Sequence, residues 1–244
     1  MIINSQKRSF GIGSNISVFT LGTMRATESS EKMYEIIKKA YYAGINHIET
    51  APSYGEAEKF IGNALNRLDE FEKISKKNWV ITTKFLPKGN LKELKKNFFH
   101  SLRNLKVKRI NNLSIHGLNL FEHLEWVLKG EGQKFIKWLL KNNLIDQIGF
   151  SSHGEFQLIN NAIDTGVFNF CSLHLHLLDQ SKFPLARKAL EMKMGVMAIS
   201  PADKGGKLYL PSNILSEASK PFQPLEIAYR FLLSQGITTL SLGA

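Results

Sequence analysis

Short apolar runs rich in β-branched residues alternate along this chain with amphipathic stretches of helical period. SVFTLGTM (17–24) reads as a strand. In the stretch that follows, 30–44, Met33, Ile36, Ile37 and Ala40 fall on one helical face, with Ser30 placed to cap it and Gly44 to stop it. The alternation then repeats. NHIETA precedes a helix over 56–68, WVITTKF one over 91–105, and NNLSIHG, after a long loop, one over 133–143. DQIGFSS precedes 155–164, NFCSLHLH precedes 182–192, and GVMAISP precedes 224–234, leaving TTLSLGA as the last run. Ahead of the first strand, residues 7–16 suit a hairpin turning at 11–13.

Eight strand runs and seven helices recur every 25–40 residues or so, with no linker or low-complexity break, so one domain over 1–244 is expected. Strands alternating with helices make parallel βα units, and eight of them in about 250 residues make a (β/α)8 TIM barrel. The competing doubly wound sheet carries a Gly-rich turn after its first strand; LGTMRAT does not match GxGxxG. The pattern shows no eighth helix, and the chain is expected to be C-terminally truncated.

Composition narrows the function. With 43% hydrophobic residues the chain can bury a core, which excludes disorder. A net charge of +11 invites a nucleic-acid reading. Yet the lysines are scattered in ones and twos, and there is no helix-turn-helix or zinc-finger spacing, so no nucleic-acid partner is expected. The charge is better suited to a solvated lysine-rich surface, the remaining alternative being attraction of a small anionic ligand such as a phosphate-bearing cofactor. Cys171 is the single cysteine, which rules out a disulfide scaffold and a thiolate metal cluster; no metal is expected. No apolar run approaches the roughly 18 residues of a membrane helix, and MIINSQKRSF lacks a secretory h-region. A soluble, cytoplasmic protein with no membrane partner is expected. Nothing in the chain signals an oligomeric state.

In such a barrel the chemistry sits at the C-terminal strand ends. Those positions hold Glu49 after the second strand, Lys84 at the end of the third and His116 at the end of the fourth, with Tyr54 in the loop after Glu49. Together a carboxylate, a phenol, an ammonium and an imidazole suit delivery of a proton from the phenol. Free tyrosine titrates near ~10, and a nearby cation such as Lys84 should lower that value. Glu49 can hold Lys84, and His116 can hydrogen-bond a substrate oxygen. Singly, each residue has an ordinary structural role: a solvated lysine, a core histidine, a helix cap, a turn tyrosine. Lys84 also permits Schiff-base chemistry, which would leave Tyr54 and His116 without a purpose.

These residues sit in motifs that resemble the aldo/keto reductase family. HIETAPSYGEAEKFIGNAL is similar to the family signature around its aspartate and tyrosine; TTK and IHG match the positions of its lysine and histidine. LGTM, IGFSS, ISPADKGGKL and LSLGA follow in the family's order, and HIETA, IHG, SSHG and DKGG look most like a less-studied branch. The resemblance implies reversible hydride transfer between NADP(H), or NAD(H), and a small-molecule aldehyde or ketone. It implies Tyr54 as proton donor, supported by Glu49, Lys84 and His116. It also implies cofactor contacts from Gly22, Thr23, Met24, Ser151, Ser152 and Ser172, and from Ser200, Ala202, Lys204 and Gly205 in a pyrophosphate loop at 200–206 that could equally be an ordinary turn. A barrel that binds without turnover is the alternative.

The chain departs from the family in places. Glu49 stands for the aspartate, Ser152 for an asparagine, Ser172 or His174 for a glutamine, and Ile199 for a ring-stacking aromatic. The family's adenosine and 2′-phosphate clamp follows the eighth strand and is absent from the sequence. In the loop 117–132, Leu118, Phe121 and Trp126 either wall the substrate pocket or pin the loop to the barrel.

Overall fold

A computed structural model describes residues 6–26 and 28–243; the end of the TTLSLGA run at Ala244 and the N-terminal five residues lie outside the described residues. The chain opens with a hairpin, β1 (Lys7–Arg8) antiparallel to β2 (Ile16–Ser17). Eight strands then alternate with helices: β3 (Phe19–Gly22), β4 (His47–Glu49), β5 (Val80–Phe85), β6 (Ile110–Ile115), β7 (Ile145–Ser152), β8 (Phe170–His174), β9 (Gly195–Ile199) and β10 (Thr239–Gly243). Each pairs in parallel with its predecessor, and β10 pairs back onto β3, closing a (β/α)8 barrel. The outer layer holds α1 (Ser30–Tyr42), α2 (Ala57–Phe71), α3 (Leu91–Leu105), α4 (Phe121–Lys129), α5 (Glu131–Lys141), α6 (Phe156–Asp164), α7 (Phe183–Glu191), α8 (Asn213–Ala218) and α9 (Pro224–Ser234).

Local chemistry explains these elements. Ser29, not Ser30, caps α1: its side chain accepts from the Lys32 amide, because the extended backbone that a cap needs falls one residue earlier. Asn90 and Glu93 close a reciprocal capping box on α3. Lys106 ends α3 in the left-handed conformation. The loop expected over 117–132 contains α4, and the segment between β9 and α9 holds a 3-10 turn (Lys204–Tyr209) and α8.

Alternation along the strands sorts side chains into two cores. Leu21, Ile48, Ile81, Leu113, Ile148 and Val196 face outward and pack under the helices. Inward residues form layers. Phe10, Ile16, Val80, Phe170 and Met197 make an apolar floor, plugged from below by Phe10 of the hairpin turn. A Cβ on Gly195 would stand 2.3 Å from the Phe10 ring, so only glycine lets the plug seat. Above it runs a belt of hydrogen bonds. Thr239 and Thr20 hydroxyls meet at 2.7 Å, Thr20 meets His47 Nδ1 at 2.7 Å, and His47 Nε2 meets Thr82 at 2.7 Å. Asn112 donates to Thr82 (3.1 Å), and Gln147 donates to Asn112 (2.8 Å) and to the Phe10 carbonyl (2.9 Å). Full burial holds His47 neutral, with its pKa pushed down to about 3. Above this satisfied belt the barrel opens.

Candidate active site

The mouth is a cleft of about 790 Å3 formed by the C-terminal strand ends and the loops that follow them. Glu49 ends β4 and Lys84 lies in β5, both pointing inward and both buried. His116 follows β6, its amide bonded to the Phe85 carbonyl at 2.7 Å. Tyr54 sits in the turn after β4, where its amide bonds the Ala51 carbonyl (3.0 Å) and Gly55 takes a φ of 58°. That tight turn brings the phenol back over the strand ends.

The four side chains meet. Lys84 Nζ donates to Tyr54 Oη at 2.8 Å and to the Thr50 carbonyl at 3.1 Å, and it forms an ion pair with Glu49. It also lies 4.5 Å from the Tyr54 ring centre. The His116 ring stands perpendicular to the Tyr54 ring, with centroids 5.7 Å apart, and His116 Nδ1 lies 3.2 Å from the Ser53 hydroxyl. Behind Lys84, the outward Thr83 donates to Glu58 of α2 at 2.7 Å. That bond ties the helix after Tyr54 to the strand carrying Lys84; the YGEAE motif contained it, but its partner is visible only in three dimensions.

Electrostatics here are governed by burial. Burial pushes the Tyr54 phenol up to about 12, opposite to the lowering expected from a neighbouring cation. The phenol's own desolvation outweighs the pull of Lys84, which burial in turn drives well below the usual lysine range. His116 is pushed down to about 4, first by burial and then by Lys84 and His153, so it is neutral at working pH.

Of the residues the resemblance pointed to, Gly22, Met24, Ser151, Ser172, Ser200, Ala202 and Gly205 line this same cleft. Three others do not. Thr23 is buried with its hydroxyl on the Glu49 carbonyl (3.0 Å), and Ser152 is buried with its hydroxyl on the Leu118 carbonyl (2.6 Å). Lys204 is exposed. Leu118 is buried beneath the loop and Trp126 packs against Phe85, so both pin the segment and neither walls the cleft. Phe121 is exposed. The walls come instead from Leu86, Pro87, Asn119, Ile199 and Tyr209, with Arg25 and Lys88 as further cations. Asn119 braces the mouth by accepting from the His153 amide at 2.8 Å. Burial raises the lone thiol, Cys171, to about 12, which leaves it inert.

A closed parallel barrel thus brings a lysine, a tyrosine, a carboxylate and a histidine together at its C-terminal mouth. The sequence profile of the Aldo/keto reductase family matches residues 18–208, and the chain belongs to that family, whose members use nicotinamide cofactors on small-molecule carbonyl compounds. The chain is similar in structure to the aldo-keto reductase AKR11C1 from Bacillus halodurans in its holo form (TM-score 0.82, 20% identity, covering 98% of this chain and 86% of that one). It is also similar to an aldo/keto reductase from Brucella melitensis (0.75, 20%, 97% and 88%) and to the aldose reductase from Schistosoma japonicum (0.74, 20%, 95% and 80%). At these identities the likeness is one of fold.

Proposed function

We propose that this chain reduces an aldehyde or ketone with a nicotinamide cofactor, NADPH being the favoured donor, and that Tyr54 is the proton donor. The observation that carries the reading is the 2.8 Å bond from Lys84 Nζ to Tyr54 Oη. Because Lys84 donates, the phenol oxygen accepts, and its own proton remains free to point into the cleft. The cofactor supplies a hydride to the carbonyl carbon when bound. Tyr54 gives its proton to the carbonyl oxygen, and the phenolate left behind is neutralised by Lys84, which Glu49 and the Thr50 carbonyl hold in place. His116 is neutral. With Ser53 donating to Nδ1, its Nε2–H points to the substrate oxygen and orients it.

The residues present suit a dinucleotide. Ser172 Oγ is buried at the cleft wall without a hydrogen-bond partner, a free group for a carboxamide. In the loop 200–206, Gly205 and Gly206 have φ of 74° and 76°, and a Cβ on Gly205 would meet nothing within 4 Å. That loop leaves room for a phosphate to approach the backbone. Arg25 and Lys88 favour the more anionic cofactor. The test is fluorescence titration with NADPH and NADH, followed by turnover of a panel of aldehydes and ketones. Binding with turnover supports the reading. Binding without turnover favours a barrel that only binds, and absence of binding at millimolar cofactor overturns both.

A further inference from the structure

We propose that His174, His176 and Asp179 form a binding site for a divalent transition-metal ion of the zinc class. His174 ends β8, and the chain continues through buried Leu175 to His176. A tight turn, in which the Asp179 amide donates to the His176 carbonyl at 3.1 Å, then folds the carboxylate back over the two imidazoles. One donor atom from each residue lies within 4.8 Å of the other two. Donors around a tetrahedral zinc ion stand roughly 3.3–3.5 Å apart, given bonds of about 2.0–2.2 Å. Side-chain rotations of about 1 Å therefore close the set.

The second observation is what burial has done to the imidazoles. Both histidines are more than nine-tenths buried, and the Nδ1 atom of each has no hydrogen-bond partner. Buried polar atoms are paired in almost every folded protein, so two orphans on adjacent rings, whose centroids lie 4.9 Å apart, point to a shared missing partner. The surroundings are those of a metal site. Asp179 Oδ1 is fixed by the Ser181 hydroxyl at 2.6 Å and the Ser181 amide at 3.1 Å. His176 Nε2 lies 3.6 Å from Asp203 Oδ1, so a metal on Nδ1 would leave Nε2–H directed at a carboxylate, the usual outer partner of a metal-bound histidine. Lys182 and Lys204 are close enough to bear on this cluster, and the Asp179 carboxylate opposes Lys182's charge. Three protein donors leave one position for water. Through Asp203 the ion would tie the turn after β8 to the loop 200–206.

The test uses the full chain without a histidine tag, stripped with a chelator and titrated with Zn2+ by calorimetry and with Co2+ by visible absorption. One equivalent of Zn2+ should bind with a Kd at or below about 10 µM, and Co2+ should give four-coordinate d–d bands. His176→Gln and Asp179→Asn should each weaken binding by at least about tenfold, while His100→Gln on α3 should leave it unchanged. Because the variants could fail to fold, imidazole NMR of the unaltered chain gives a separate reading: Zn2+ should shift the ring signals of two of its seven histidines. No binding at 1 mM Zn2+, affinity insensitive to both folded variants, or ring signals that do not move would overturn the site.

Discussion

Replacing Tyr54 with Phe deletes one oxygen and keeps the ring that packs against Lys84 and His116. Lys84 loses one acceptor but retains Glu49 and the Thr50 carbonyl at 3.1 Å. A hydrogen bond to a charged group contributes about 1.5–3 kcal/mol. Here the loss is offset in part because the hydroxyl no longer has to be desolvated, so a net change of about 1 kcal/mol, or roughly 2–4 °C in Tm, is expected. The rate should respond far more. Removing a positioned proton donor slows a reaction by about 10²–10⁴, equivalent to roughly 3–5 kcal/mol of barrier. Steady-state kinetics with a reactive aldehyde, alongside cofactor titration of the same preparation, separate the two effects. Turnover should collapse while cofactor affinity stays within a few-fold. A variant keeping more than half of wild-type turnover would refute Tyr54 as the acid.

Glu49→Ala strands the buried Lys84 charge, so about 3–5 kcal/mol of stability should go with most of the activity, whereas Glu49→Asp should keep or raise activity; identical behaviour of the two variants in denaturation and kinetics would remove the orienting role. With its phenol held near 12, Tyr54 is protonated across pH 6–10. Carbonyl reduction should show no tyrosine limb there, while alcohol oxidation, which needs the phenolate, should climb about tenfold per unit; a reductive midpoint near pH 8 would show that Lys84 does lower the phenol. His47 is held neutral, with a folded pKa of about 3. The unfolded chain therefore takes up the proton first, so stability is complete above about pH 6.5 and lost as pH falls toward 3, at roughly 1.4 kcal/mol per unit. Urea unfolding at pH 7 and 5.5 should show that slope, His47→Gln should reduce it, and an unchanged slope in the variant would exclude His47 as its source.

The strands and most helices were legible because their period is imposed by what they touch. The spans 91–105 and 224–234 are legible to the residue, the first bounded by Asn90 and the left-handed Lys106, the second by Pro224. Helix α4 was not: only Leu124 and Val127 of its nine residues are buried, too few to mark a stripe, and α8 buries none. The meeting of Glu49, Tyr54, Lys84 and His116 was foreseeable, since three sit at strand ends and Tyr54 lies in the turn that follows one of them. Their electrostatics were not, because desolvation depends on the finished enclosure and a list of neighbouring charges does not contain it. The belt from Thr239 to Gln147 was hidden for a related reason. In a barrel both strand faces are buried, so a polar residue at an alternating position looks solvent-facing until closure gives it a partner. His174 and His176 are two residues apart in a strand pattern that gives no hint of Asp179 folding back.

The hairpin plug makes the two ends of the chain interdependent in time. Arg8 donates to the Leu233 and Ile237 carbonyls, and Phe10 rests on Phe170 and beneath Gly195. The hairpin's partners are spread from Asn46 and His47 through Gln147 to Leu233 and Ile237, so its seat is complete only when the last helix and strand are in place. At synthesis rates of about 5–20 residues per second, the 225 residues between Arg8 and Leu233 take roughly 10–45 s, during which the β3 edge that β10 will cover stays open. Closure of the barrel therefore waits for β10, the strand that covers the open edge of β3.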